Sequence, residues 1–126
     1  MNELRCKLAQ TCVILGDAVL RVRGSQVDDI TSPQLAIGMF PDARFEAQTI
    51  EWQPGDLLAL VTDGVLEVFD AQNRELGLDW ARQMLAAHSH RPLAEIADRL
   101  LAGARAHGPQ LDDQTVLLIR QGTPST

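Results

Sequence analysis

The sequence predicts an α+β domain built around a largely antiparallel sheet. Three observations carry this. Strand-like stretches crowd the first half, two helical periodicities follow one another without a strand between them, and one apolar stretch closes the chain. Strands grouped apart from helices favour antiparallel pairing over a strand–helix–strand repeat. With 126 residues, 45% hydrophobic and 22% charged, the chain suits one globular domain over residues 1–126 and needs no disulfide scaffold.

Each element has its own warrant. Residues 4–9 and 11–22 are rich in Leu, Val and Ile and read as strands, with Gly24-Ser25 as a turn. Residues 25–42 are expected to be loop, carrying Pro33, Gly38 and Pro41 around Leu35-Ala36-Ile37. From Arg44 to Trp52 the pattern alternates through Phe45, Ala47 and Thr49 or Ile50, as a half-buried strand would. Pro54-Gly55-Asp56 signals a turn. Leu57 to Val61 is continuously apolar, the mark of a strand buried on both faces. Leu76, Trp80, Met84 and Leu85 recur at helical spacing over 76–88. Pro92 suits the first turn of a second helix lined by Leu93, Ile96, Leu100, Leu101 and Ala104 and stopped by Gly108-Pro109. Thr115 to Arg120 reads as the last strand, and residues 121–126 as frayed.

The formal charge is −6, and the excess lies in residues 51–79, where seven acids face Arg74 alone. No basic patch suggests a nucleic-acid partner. The longest apolar run, Leu57–Val61, is far short of the ~20 residues that cross a bilayer, so no membrane span is expected. Glu3 and Arg5 interrupt any signal-like segment near Met1. Cys6 and Cys12 match no zinc spacing and read as small packing residues in a reducing setting. A cytoplasmic protein is the expectation.

Two short acidic motifs could carry chemistry. Leu57–Val61 delivers Asp63 to the end of a buried strand, and Gly64 follows to let the backbone turn or approach a ligand closely. Asp112-Asp113-Gln114-Thr115 stands just before the last strand. If that strand runs antiparallel beside 57–62, both motifs reach one sheet edge, and crowded carboxylates there invite a divalent cation. Oxygen ligands select hard ions, Mg²⁺ or Mn²⁺. Spacing alone describes a turn and a polar loop at least as well. His88, His90 and His107 share no obvious geometry, Trp80 and Met84 read as core, and Arg74, Arg82, Arg91, Arg99 and Arg105 read as solvated helix faces.

Pro54-Gly55-Asp56 through Thr62-Asp63-Gly64-Val65-Leu66-Glu67 resembles the Gly-Asp and Thr-Asp-Gly-Val stretch of PPM-type (protein phosphatase 2C-like) serine/threonine phosphatases. It is most similar to the bacterial sporulation stage II protein E-like branch. Asp112-Asp113-Gln114-Thr115 resembles that branch's closing Asp-Asp-x-Thr motif, and Leu35-Ala36-Ile37-Gly38 with Pro41-Asp42 resembles a third family segment. The resemblance runs from about Gly16 to Arg120 and implies a layered fold of helices on a β-sandwich. It implies metal-site residues Asp63, Gly64, Asp112 and Asp113, two Mn²⁺ or Mg²⁺ ions that activate a water to attack a phosphoserine or phosphothreonine, and no phosphoenzyme. It implies a phosphoprotein substrate such as an anti-anti-sigma-type regulator, acting in partner switching. The family's N-terminal Gly-Asp-x-x-Asp segment, with its metal-bridging aspartate, and its Asp-x-x-Gly-His-Gly segment have no counterpart here. Gly16-Asp17 stands where relatives have Ala-Gly-His. The chain therefore resembles only the C-terminal portion of the domain, and little or no activity is expected of it alone. The other reading is a catalytically inactive module that binds a regulatory partner or forms a homodimer, since a half-sheet leaves strand edges to be paired.

Overall fold

A computed structural model describes residues 18–31, 40–44 and 49–122. The expected strands at 4–9 and 11–17, both cysteines, Asp17, Leu35-Ala36-Ile37, Phe45 and Ala47 lie outside the described residues.

Strand β1 (Ala18–Arg23) alternates buried and half-buried positions and turns sharply into β2 (Gln26–Asp29). The sequence reading placed 26–29 in a loop, and the structure corrects it. Gly24 takes φ 61°, a left-handed conformation open to glycine, at the first central position of a two-residue hairpin loop. Val27 pairs with Val22 and packs towards the core, which one isolated valine among polar neighbours did not announce. β3 (Leu57–Val61) runs antiparallel to β1, from Ala18↔Val61 to Val22↔Leu57. β4 (Val116–Arg120) runs antiparallel to β3, from Leu57↔Arg120 to Val61↔Val116. The sheet order is β2-β1-β3-β4.

Residues 49–52 are not a strand, contrary to the alternation read there. They attach through scattered bonds instead of a ladder. Arg21 donates to the Glu51 carbonyl at 2.9 Å, and the Trp52 indole N–H donates to the Gln121 side chain.

After β3 comes a single helical turn, α1 (Asp63–Leu66), then α2 (Gly77–His88) and α3 (Leu93–His107). The hydrophobic stripes predicted for the last two lie on the sheet. Leu85 of α2 and Ile96 and Leu100 of α3 are fully buried against Leu20, Val22, Leu57 and Ala59. Val61, Val65, Val68, Ala81 and Ala104 extend this core towards α1. Trp80 and Met84 pack on it, as expected of core residues. Trp80 needs a slot, and Gly103 provides it: a Cβ there would sit 2.2 Å from the indole ring. Arg120 donates to the carbonyls of Ser89 and Arg91, placing a cation where α2 leaves carbonyls unpaired.

All three helices contact one another or the same face of the sheet. By strand alternation, Val19, Leu58, Leu60, Leu117 and Ile119 project to the other face. Leu117 is 46% exposed there. This is the α+β architecture predicted, with one four-stranded antiparallel sheet among the described residues.

Candidate functional site

The candidate site grows from the end of β3 and the start of β4. The ladder closes at Val61↔Val116, and the next residue on each strand continues it in an unusual way. The Thr62 amide donates to the Thr115 carbonyl at 3.1 Å. The Thr115 amide donates to the Thr62 hydroxyl oxygen at 3.0 Å, and that hydroxyl lies 3.3 Å from the Thr115 carbonyl as donor. A side chain thus stands in for a backbone partner where the chains part.

Beyond this clasp the chain bends into α1. Val65 N–H reaches the Thr62 carbonyl at 3.0 Å and Glu67 N–H the Asp63 carbonyl at 2.7 Å, so Asp63 occupies the first turn. Gly64 lies against the other motif. A Cβ built on it would fall 2.0 Å from the Asp113 carbonyl oxygen and 3.3 Å from that of Asp112. Gly64 is therefore required by close backbone approach. Across the gap, Asp113 N–H donates to the Asp112 carboxylate at 2.7 Å, and the Gln110 side chain donates to the Asp112 carbonyl at 3.0 Å. Asp63 is half-buried, while Asp112 and Asp113 are exposed.

All four residues singled out from the sequence, Asp63, Gly64, Asp112 and Asp113, thus gather at one rim. That juxtaposition removes the reading of two unrelated turns. The donors on offer are carboxylate oxygens, the chemistry of Mg²⁺ and Mn²⁺. The fit is partial, because no three His, Cys, Asp or Glu side chains among the described residues converge as a metal cage would require. This chain's rim fits a share of a hard-cation site and does not fit a closed one.

The remaining acids and bases sort differently. Asp56 is only 1% exposed and receives both arms of Arg23, at 2.8 and 2.7 Å, and the Gln53 N–H at 2.8 Å. The Arg23 hydrogen bonds hold its carboxyl below the usual carboxylate range, against the opposing effect of burial. Asp70 is held low by the Arg74 backbone N–H first and by its guanidinium as well, within the loop before α2. Arg82 donates to the Val27 carbonyl, and Arg91 and Arg99 both pair with Glu95. Of the five arginines read as solvated helix faces, Arg74, Arg82, Arg91 and Arg99 thus have partners within the chain. His107 Nε2 lies 2.8 Å from the Arg74 carbonyl, and no histidine joins the acidic rim.

Sequence reasoning missed two parts of this neighbourhood. Thr62 and Thr115 were quoted within their motifs without a role. Gln114, between Asp113 and Thr115, has both ends of its amide buried and without a hydrogen-bond partner among the described residues. A polar residue at an inward position of a strand entry was its only signal.

No described helix is long and apolar enough to cross a membrane. A search of curated proteins returned no match. Solved structures do match. The SiaA-PP2C domain of Pseudomonas aeruginosa is 27% identical with a TM-score of 0.72, over 82% of this chain and 43% of that one. The phosphatase domain of the cell fate determinant SpoIIE from Bacillus subtilis matches in a crystal form without domain swapping, at 26% identity and a TM-score of 0.58, over 86% of this chain and 49% of that one. The same domain presoaked with Mn aligns at 23% identity and a TM-score of 0.64, over 86% and 48%, a likeness of fold. The chain thus spans less than half the length of these structures. The family model for Stage II sporulation protein E matches residues 16–122. With its strands, helices and acidic motifs in that order, this chain is a partial PPM-type phosphatase domain and belongs to the Stage II sporulation protein E (SpoIIE) family.

Proposed function

We propose that this chain supplies one acidic half of the cation site of a metal-dependent phosphoserine/phosphothreonine protein phosphatase. Asp63 and Asp112 hold the ion through carboxylate oxygens, Asp113 assists, and Gly64 lets the two segments meet. One observation carries the reading: the Gly64 backbone lies directly against Asp112 and Asp113, so both acidic motifs share one rim. Bound Mn²⁺ or Mg²⁺ would supply positive charge for phosphate oxygens and acidify a water. The residues of this chain bind and orient that ion.

Family membership and the SiaA and SpoIIE phosphatase structures support a phosphoprotein substrate, read here as a bacterial regulator of the anti-anti-sigma kind in the cytoplasm. With the cage only partly furnished, the 126-residue chain alone is expected to hydrolyse a phosphoserine peptide little or not at all. Calorimetric titration of Mn²⁺ into wild type and Asp63→Asn tests the assignment. Heat in the wild type that the substitution abolishes is the expected result; identical traces would refute it.

A second reading is a non-catalytic module that binds a regulatory partner or dimerises. The exposed Leu117 on the helix-free face and the edge position of β4 among the described strands favour it. It predicts no difference between the two titrations and a concentration-dependent mass in sedimentation.

A further inference from the structure

The proposed cation site leaves open what fixes the spacing of its two acidic segments. We propose that the Thr62 hydroxyl is the positioning group: by clasping the Thr115 backbone, it sets the distance between Asp63 and Asp112-Asp113 before any ion arrives, an inference that rests on the cation-site reading above.

Beyond the register pairs of the strand ladder, only one backbone–backbone bond among the described residues, from the Thr62 N–H to the Thr115 carbonyl, crosses the joint. The last register pair of the ladder is Val61↔Val116, and α1 begins at Asp63, so Thr62 on one side and Gln114-Thr115 on the other join the sheet to the acidic segments. At that joint the Thr115 N–H has its bond to the Thr62 hydroxyl, 3.0 Å away. The Thr62 N–H reaches the Thr115 carbonyl at 3.1 Å, with the hydroxyl 3.3 Å from the same carbonyl. A hydroxyl can accept one bond and donate another, so a single atom completes the joint on both counts. The Thr62 carbonyl meanwhile accepts from Val65 N–H at 3.0 Å and so starts the turn that carries Asp63 and Gly64. Gly64 then touches the Asp113 backbone. Thr62 therefore holds Asp63 through its own backbone, and the Asp112-Asp113 segment through its hydroxyl together with its N–H. Valine has the shape without the hydroxyl. Serine has the hydroxyl without the methyl. The Thr115 hydroxyl takes no part in the clasp.

These differences define the test. Amide hydrogen exchange at Thr62 and Thr115 is followed by NMR without metal, and Mn²⁺ affinity by calorimetry, in wild type, Thr62→Val, Thr62→Ser and Thr115→Val. Thr62→Val is expected to lose about tenfold in protection at Thr115 and about tenfold in Mn²⁺ affinity, the scale of groups that orient metal ligands. Thr62→Ser and Thr115→Val are expected to stay within about twofold of wild type in both. Wild-type protection at Thr115 in Thr62→Val, or unchanged Mn²⁺ affinity once the clasp is lost, overturns the proposal while leaving the phosphatase reading intact. Absence of Mn²⁺ uptake by wild type defeats the phosphatase reading, and the exchange data then decide by themselves whether Thr62 sets the spacing.

Discussion

Strand β3 has an aspartate just outside each end, and the two live in opposite circumstances. Asp56 precedes Leu57 with its carboxylate buried, gripped by both arms of Arg23 and by the Gln53 N–H. Its own carbonyl also receives the Gln121 N–H at 2.8 Å, tying the start of β3 to the end of β4. Asp63 follows Thr62 half-buried, with no hydrogen bond or ion pair to its carboxylate among the described residues. The same residue type on the same strand thus closes the fold at one end and opens it at the other. A carboxylate whose charge is already met by arginine has nothing to offer a cation. One held by backbone alone keeps its oxygens available. The acidic excess of residues 51–79 is therefore mixed: Asp56 and Asp70 are satisfied by arginine, Asp63 stands at the rim, and Glu51, Glu67, Glu75 and Asp79 are exposed.

The comparison can be broken by substitution, and the rim's own backbone gives the largest effect. Gly64→Ala places a methyl where the Asp113 carbonyl stands, and neither is the end of a flexible side chain. A loss of about 3 kcal/mol is expected in urea unfolding, the upper range for overpacking. A near-neutral result would mean that the two segments are not held together.

Asp56→Ala comes next, at about 2 kcal/mol, because it removes a buried carboxylate, takes the acceptor from the Gln53 N–H and leaves Arg23 without its partner. Asp63→Asn should stay within about 0.5 kcal/mol in the same assay, since nothing described depends on its charge. Equal costs at the two positions would erase the distinction drawn between them.

The contrast also has a pH signature. The folded pKa of Asp56 lies below its unfolded value near 3.8, so its contribution is complete above about pH 5. That stability is lost as pH falls through the folded value, because the unfolded state takes up the proton more readily. Unfolding free energy measured from pH 6 to pH 2 should fall less steeply in Asp56→Asn than in wild type. A parallel profile would contradict the ion pair.

A smaller loss than that of Asp56→Ala is expected at Gly103→Ala. The gain in helix propensity, about 1 kcal/mol, opposes a clash with Trp80 worth about 1–3 kcal/mol, leaving a net loss of about 1 kcal/mol. A stabilised variant would show that the indole can move aside.

Much of this architecture was legible because hydrophobic period and punctuation agree. Leu57–Val61, the stripe Ile96-Leu100-Ala104 and the stop at Gly108-Pro109 each sit where burial requires. Elements whose identity depends on a distant partner were not. β2 is a strand because Val27 finds Val22, and α1 is too short for any period to register. Residues 49–52 alternate as a strand does but have no described neighbour to pair with as a ladder. The acidic rim could be anticipated from the antiparallel register alone. The arginine on Asp56 and the clasp at Thr62 could not, since both depend on which residues face each other across strands.

The central claim is that the two acidic segments act on one ion, and the most direct measurement follows paramagnetic broadening of backbone amides as Mn²⁺ is added at sub-stoichiometric levels. The account predicts that Asp63, Gly64, Asp112 and Asp113 broaden together, that Asp63→Asn removes the effect from both segments, and that Asp56→Asn leaves it intact. Broadening confined to one segment, or centred away from the rim, would contradict it.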